Sequence, residues 1–363
     1  MESCSTQAVL ALVGLAADKV IRDRYGSVFY RSVTMNRSRI AVFLSALLLL
    51  LVCEHGLAVD LSRLSSPVLL RGDDKTAFRD PAVVYHEGTF HIFATYVRTE
   101  EDDNVYLYTA ASTSRDLLDW SEPRILTPKG QHLNYSSPGN VVRFGGKWVM
   151  CLQSYPIPGL KRRGPLRWGN RDARIFVMRS EDLRDWSEPR LLRVKGPDVP
   201  RQKMGRMIDP YLVEDKDEAG KWWCFYKQDG VSYSWSRDLE HWTYQGRASS
   251  GENVCVLVQD DEYLLFHSPG NGIGIKRSRD LKRWEDWGEL ITLGQANWPW
   301  AEIRLTAGVV LDLRAEPEIG KYVMFFHGVG PGETRTMDNA FANCSIGIAW
   351  SDDLVRWDWP GKE

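Results

Sequence analysis

Ser114-Arg-Asp-Leu-Leu-Asp-Trp120 is the first of five stretches that share the pattern S-x-D-L-x-x-W. The other four begin at Ser180, Ser236, Ser278 and Ser351. A motif that recurs along a chain indicates a repeat fold, in which each copy is one supersecondary unit. Every copy here closes the same series: an apolar run, a polar turn, an aromatic-rich run, a loop and a third run. A short fourth run follows the motif. The series predicts an all-β fold, a five-bladed β-propeller of four-stranded antiparallel blades.

The fifth copy lacks a fourth run of its own. Ser66-Pro-Val-Leu-Leu-Arg-Gly72 matches the fourth runs Ser121–Leu126 and Ser187–Arg193 of the earlier copies. We therefore expect the N- and C-terminal segments to complete one blade together, in a propeller domain over residues 59–363. Such closure removes an open sheet edge that could pair with other chains.

Residues 1–58 form an upstream segment that contains a predicted signal peptide. An apolar run, Ile40–Val52, follows Arg37 and Arg39 and precedes the small-x-small sequence Gly56-Leu57-Ala58. The run is too short to span a bilayer comfortably, and its flanks are typical of a secretory signal that starts at Met35. An uncleaved anchor and a lipoprotein remain alternatives. We expect a secreted or periplasmic protein without a stable membrane span after processing.

Charge and cysteine content narrow the function classes. The net charge of -2 gives no reason to expect nucleic-acid binding. Four cysteines follow residue 58, at 151, 224, 255 and 344, and no two have the C-x-x-C spacing of a metal site. The chain is therefore not a disulfide scaffold, although one disulfide between blades stays open.

The order of strands within each blade predicts which face of the propeller carries the catalytic residues. The S-x-D-L-x-x-W motif joins strands three and four, on the face opposite the starts of the inner strands. We interpret its Asp and Trp as a turn cap and as packing between blades. Aligning the inner-strand starts places carboxylates at equivalent positions in four of five blades, at Asp80, Asp209, Glu252 and Glu302. Carboxylates converging on one end of a channel suit glycoside hydrolysis.

Arg79-Asp80-Pro81 in the first blade, Ile208-Asp209-Pro210 in the third and the Glu that opens the fourth resemble glycoside hydrolase family 43. The resemblance extends to the wider group of five-bladed enzymes that includes family 32. It implies an inverting enzyme with Asp80 as general base, Asp209 tuning and orienting the acid, and Glu252 as general acid. Glu252-Asn253-Val254 departs from the usual Glu-Gly-Pro, so Glu302 is a rival acid.

His327, in Phe325-Phe326-His327-Gly328, resembles a histidine that family members place beside an ion or water in the central channel. A packed, hydrogen-bonded histidine is the alternative. No cofactor is required by this scheme, and calcium in the channel stays open.

The same face carries arginine and aromatic residues that we expect to bind substrate. They are Arg79, Arg206, Arg304, Tyr135, Trp168, Trp298 and Trp300. Arginine recognises carboxylate and sulfate groups through paired hydrogen bonds, so an anionic substrate is one hypothesis. The predicted function is a secreted glycosidase that acts on a plant or algal polysaccharide or oligosaccharide. A non-catalytic carbohydrate-binding propeller and a retaining family-32-like enzyme are the alternatives. Family 32 usually has Asn-Asp-Pro-Asn where this chain has Arg79-Asp80-Pro81-Ala82.

Overall fold

The computed structural model describes residues 59–165, 167–330 and 343–362, which form β-strands joined by loops and short 3-10 turns. The strands, in chain order, are β1 (Val68–Leu70), β2 (Thr76–His86), β3 (Thr89–Thr99), β4 (Val105–Ser114), β5 (Arg124–Ile125), β6 (Tyr135–Phe144), β7 (Lys147–Ser154), β8 (Ile175–Ser180), β9 (Arg190–Leu191), β10 (Ile208–Glu214), β11 (Trp222–Lys227), β12 (Val231–Ser236), β13 (Thr243–Ala248), β14 (Glu252–Gln259), β15 (Glu262–Ser268), β16 (Gly274–Ser278), β17 (Glu285–Asp286), β18 (Arg304–Leu313), β19 (Lys321–Val329), β20 (Cys344–Ser351) and β21 (Trp357–Asp358). Strands β2 to β17 form four antiparallel sheets of four consecutive strands each. This arrangement confirms the predicted blades.

The fifth sheet closes the ring with both ends of the described chain. Strands β18, β19 and β20 pair in order, and β1 adds to β20 with Val68 opposite Gly347. The two-residue strand β21 also pairs with β20, so the last unit has a short fourth strand of its own beside β1. The predicted closure is therefore confirmed, with this one addition.

The S-x-D-L-x-x-W motif is a self-contained turn. In the first copy, the carboxylate of Asp116 accepts the backbone N–H groups of Leu118 and Asp119 at 2.9 and 3.0 Å, and Trp120 Nε1 donates to the carbonyl of Leu117 at 3.2 Å. The motif Leu has a positive φ in all five copies, a strained conformation for a side-chain residue. Tryptophans of the motif also pack edge-to-face across blades, as Trp186 does on Phe93.

Each inner strand carries one bulge, and the five bulges position the site. Contacts join β2, β6, β10, β14 and β18 in a closed ring. The ladder of each with its second strand shifts register once. One residue at each shift has a positive φ: Asp80, Ser137, Asp209, Asn253 and Ala307, at 47°, 41°, 50°, 52° and 55°. A bulge turns a side chain away from the pleat, so these five residues face the same end of the channel.

The four cysteines of the propeller are buried. No helix of the described chain is long and apolar enough to cross a membrane. The signal-peptide prediction falls on residues 1–58, which lie outside the described residues.

Candidate active site

A cavity of about 380 Å³ opens at the bulge end of the inner strands. Ligand pockets commonly have volumes of about 300 to 1,000 Å³, so the cavity can hold a small ligand such as a sugar. Charged side chains on its wall include the three carboxylates and three arginines Asp80, Asp209, Glu252, Arg79, Arg206 and Arg304.

Asp80 is held as a carboxylate by four neighbours. Its Oδ2 accepts the hydroxyls of Thr95 and Ser137, both at 2.9 Å, and its Oδ1 accepts the amide of Asn253 at 3.4 Å. Burial alone raises the pKa of Asp80, but the positive charge of Arg79 and the two hydroxyls lower it below its ordinary value. Asp80 is therefore ionised near neutral pH, which is the form that a general base requires.

Asp209 has the opposite environment. Burial, followed by the negative charges of Glu252 and Asp80, raises the pKa of Asp209 to about 8. Its own N–H donates to Gln153 Oε1 at 2.7 Å, and its Oδ2 accepts the N–H of Asn253 at 3.3 Å. Asp209 therefore holds a proton near neutral pH, in the same cavity as the charged Asp80.

Glu252 lies on the wall of the cavity, one residue before the bulge of its strand. Its Oε1 accepts a hydrogen bond from Arg304 Nη2 at 2.6 Å, and the two side chains are 35% and 29% exposed, Arg304 being the less exposed. Arg304 Nε donates to the carbonyl of Gly270 at 2.8 Å. The ion pair therefore fixes the direction of the Glu252 carboxylate.

A repeated hydrogen bond supports the bulges. Each second strand carries one residue that pairs with the residue before the bulge of its own blade: Thr95, Gln153, Lys227, Ser268 and His327. In four cases that side chain accepts the bulge N–H of the next blade. The four pairs are Thr95 with Ser137 at 2.7 Å, Gln153 with Asp209 at 2.7 Å, Ser268 with Ala307 at 2.9 Å and His327 with Asp80 at 3.0 Å.

The exception among the five second-strand residues is Lys227, in the third blade. Lys227 has a donor-only ammonium group and cannot accept the N–H of Asn253. That N–H donates to Asp209 instead, while the amide of Asn253 reaches Asp80. Asn253 therefore bridges the two carboxyl groups whose pKa values are displaced in opposite directions.

His327 belongs to this support. Its Nδ1 accepts the N–H of Asp80, and burial lowers the pKa of His327 to about 3. The ring is thus neutral with its proton on Nε2, an atom that has no hydrogen-bond partner among the described residues. The same part of the chain brings no three His, Cys, Asp or Glu side chains together as a metal site.

Comparison with known proteins shows which solved structures have the same fold. No protein-family model matches the sequence, and neither does any curated protein. Among solved structures, an exo-1,5-α-L-arabinanase from a bovine ruminal metagenomic library matches with a TM-score of 0.53 and 16% identity, over 79% of this chain and 98% of that one. A GH62 α-L-arabinofuranosidase domain from Coprinopsis cinerea gives 0.53 and 15%, over 76% and 91%. A GH43 β-1,3-galactosidase gives 0.52 and 14%, over 79% and 97%. The chain has the fold of these glycoside hydrolases.

This propeller brings together most of the residues expected from the sequence. Besides the three carboxyl groups, the cavity wall includes Arg79, Trp168, Arg206, Arg304 and His327. The wall does not include Tyr135, Trp298, Trp300 or Glu302. Tyr135 packs edge-to-face on Phe176, and Trp298, Trp300 and Phe326 stack against one another. These aromatic side chains are occupied in packing, and the exposed Glu302 caps a 3-10 turn.

The expected equivalence of four carboxylates is wrong. The bulge positions carry carboxylates only at Asp80 and Asp209, because Asn253 and Ala307 occupy them in the fourth and fifth blades. Glu252 precedes its bulge, and Glu302 precedes strand β18 altogether. Bulges insert a residue that strand periodicity does not reveal, so a gap-free alignment slipped in these blades. Asn253 was missed for the same reason; the only signal was its place after Glu252.

Proposed function

We propose that this chain is a glycoside hydrolase. The observation that carries the proposal is that Asp80 and Asp209 line one cavity with pKa values displaced in opposite directions. Glycoside hydrolysis needs a charged base and a protonated group in one site, because the base takes a proton from water while an acid donates one to the leaving oxygen. The fold shared with several glycosidases supports the same assignment.

In the proposed reaction, Asp80 takes a proton from a water molecule whose oxygen attacks the anomeric carbon. The bond from that carbon to the glycosidic oxygen breaks, and the oxygen receives a proton from the acid. Attack by water on the face opposite the leaving group inverts the configuration. Asp80 then loses its proton to solvent, and the acid is reprotonated.

Glu252 is the proposed acid, and Asp209 is the residue that controls its proton. Glu252 has a side chain that is 35% exposed, whereas Asp209 is 7% exposed, so Glu252 has better access to a bound sugar. The charge of Glu252 is one cause of the raised pKa of Asp209.

The finer features of the proposal rest on the sequence and the neighbours. The neighbours act on arabinan- and galactose-type linkages according to their names, which supports a plant or algal polysaccharide or oligosaccharide as substrate, here one with an acidic substituent. Export is proposed from the predicted signal peptide that contains Ile40–Val52. N-terminal sequencing of protein recovered outside the cells would test it. No cofactor takes part in the proposed steps.

The test is hydrolysis of a polysaccharide panel by the wild type, Asp80→Asn and Glu252→Gln. Loss of a general acid or base lowers the rate by about 100- to 10,000-fold, so both variants should lose most activity while still binding sugar. NMR of the first product should show inversion. Full activity in both variants refutes the assignment, and net retention refutes water activation by Asp80. Sugar binding without hydrolysis by the wild type would instead identify a carbohydrate-binding propeller.

A further inference from the structure

The charges around the cavity leave one arginine without a carboxylate. Of the three arginines on the wall, Arg304 pairs with Glu252 at 2.6 Å, and Arg79 interacts with the charge of Asp80. The third carboxyl group, Asp209, holds a proton near neutral pH. Arg206 forms no ion pair with a carboxylate of residues 59–165, 167–330 or 343–362; its side-chain hydrogen bonds go to neutral groups. The cavity therefore carries one uncompensated positive charge at Arg206.

Neutral groups hold this guanidinium in place. Nε of Arg206 donates to the carbonyl of Gly169 and Nη2 to the hydroxyl of Tyr155, both at a long 3.4 Å. The guanidinium carbon lies 5.6 Å from the centre of the Tyr155 ring. The backbone carbonyl of Arg206 accepts from Gln228 at 3.1 Å. These contacts orient the side chain without neutralising it, so its strong donors remain available to a ligand anion.

An aromatic surface lies beside it. Trp168 lines the same cavity and is 52% exposed, next in sequence to the Gly169 carbonyl that Arg206 contacts. Aromatic rings offer a flat apolar face, against which one face of a sugar ring can rest. The cavity wall thus combines an exposed aromatic side chain with an oriented cation.

We propose that Arg206, Tyr155 and Trp168 form a subsite for an anionic sugar, which presents a carboxylate or sulfate to the guanidinium. The inference rests on the proposed function, since it places this sugar beside the bond that the carboxyl groups cleave. A guanidinium matches two oxygens of either group with two parallel hydrogen bonds. A neutral sugar would leave the charge of Arg206 without a counter-ion in a partly closed site, which is unfavourable.

The experiment measures binding, so that it does not depend on turnover. Titration calorimetry uses the full chain carrying Asp80→Asn, with oligogalacturonate, its carboxyl-reduced form, a sulfated galactan oligosaccharide and its desulfated form. Hydrogen bonds to charged groups correspond to about 10- to 100-fold in affinity. We expect at least one charged ligand to bind that much more tightly than its neutral counterpart. The uronate and sulfate arms identify the anion.

Adding Arg206→Gln should abolish this preference and change the affinity for the neutral forms by less than about threefold, while Arg206→Lys restores part of it. The matched control is Arg171→Gln, which removes the same charge from an exposed position outside the cavity and should keep the preference. Equal binding of charged and neutral ligands, no binding of either charged ligand, or an unchanged preference in Arg206→Gln overturns the subsite. Hydrolysis of a neutral polysaccharide alongside any of these results would leave the glycosidase assignment intact.

Discussion

Replacing Asp209 with asparagine should stabilise the protein at neutral and alkaline pH while it removes activity. The ordinary pKa of this carboxyl group is 3.8, and the fold raises it to about 8. Between these two values the folded protein binds a proton that the unfolded chain lacks. The free energy of unfolding therefore falls by about 1.4 kcal/mol for each pH unit. Summed from pH 3.8 to pH 7, this effect lowers the free energy of unfolding by about 4 kcal/mol.

Asparagine avoids this cost because its side chain is neutral without binding a proton. The site that holds a carboxyl group does not offer acceptors for the amide hydrogens, and leaving them unsatisfied costs about 1 to 3 kcal/mol. The net gain at pH 7 to 8 is then about 1 to 3 kcal/mol, or a few degrees in Tm for a domain of this size. At pH 4 the gain vanishes and only the cost of the amide remains. The difference in Tm between Asp209→Asn and the wild type should therefore rise with pH from 4 to 8.

The matched comparison is Asp80→Asn, which should behave in the opposite way. The pKa of Asp80 is lowered, so its charge stabilises the fold above pH 4, and that stability is lost as the pH falls through the folded value. The variant should be less stable by a constant amount from pH 5 to 8, with the deficit shrinking below pH 4. Calorimetric melting across this range measures both curves. A pH-independent difference for Asp209→Asn, or one that falls towards pH 8, refutes the buried, protonated Asp209.

Two further substitutions test the contacts of Asn253 and the close packing of the inner strands. Asn253→Gly keeps the positive φ and the N–H to Asp209 but removes the amide at 3.4 Å from Asp80. The pKa of Asp80 should rise, moving the acid limb of the kcat/KM profile up by about half a unit to one unit; an unmoved limb would show that the amide does not act on Asp80. Gly139→Ala would place a Cβ 1.3 Å from the carbonyl of Pro210 and should destabilise the ring by about 3 kcal/mol in urea unfolding. Gly130→Ala, with open space around it, is the control, and equal stability of the two variants would contradict the close packing of the inner strands.

The sequence predicted the fold well because its signal is local. Each S-x-D-L-x-x-W turn is built from hydrogen bonds among its own residues, as Asp116 and Trp120 show. The motif can therefore be recognised without knowledge of the rest of the chain. The match between Ser66–Gly72 and the other fourth runs likewise predicted how the ring closes.

The site was predicted in part. Asp80 and Asp209 could be found because proline follows each of them in a recognisable inner-strand start. Trp300 and Tyr135 were assigned to substrate from their side-chain type and face, yet both are buried in aromatic packing. Whether an aromatic side chain meets solvent or another ring depends on neighbours distant in sequence, which composition and spacing do not contain.

The sequence by itself determined five blades, their order and the face that carries the inner-strand starts, because turns and strand patterns are written in consecutive residues. The tertiary structure alone decided which side chains meet at the centre. Asn253 bridges Asp80 and Asp209, residues 173 and 44 positions away, and it does so because Lys227 cannot accept its N–H. The pKa of Asp209 is likewise raised by burial and by charges from other blades. Electrostatic interactions act through space, so these properties exist only once the ring has closed.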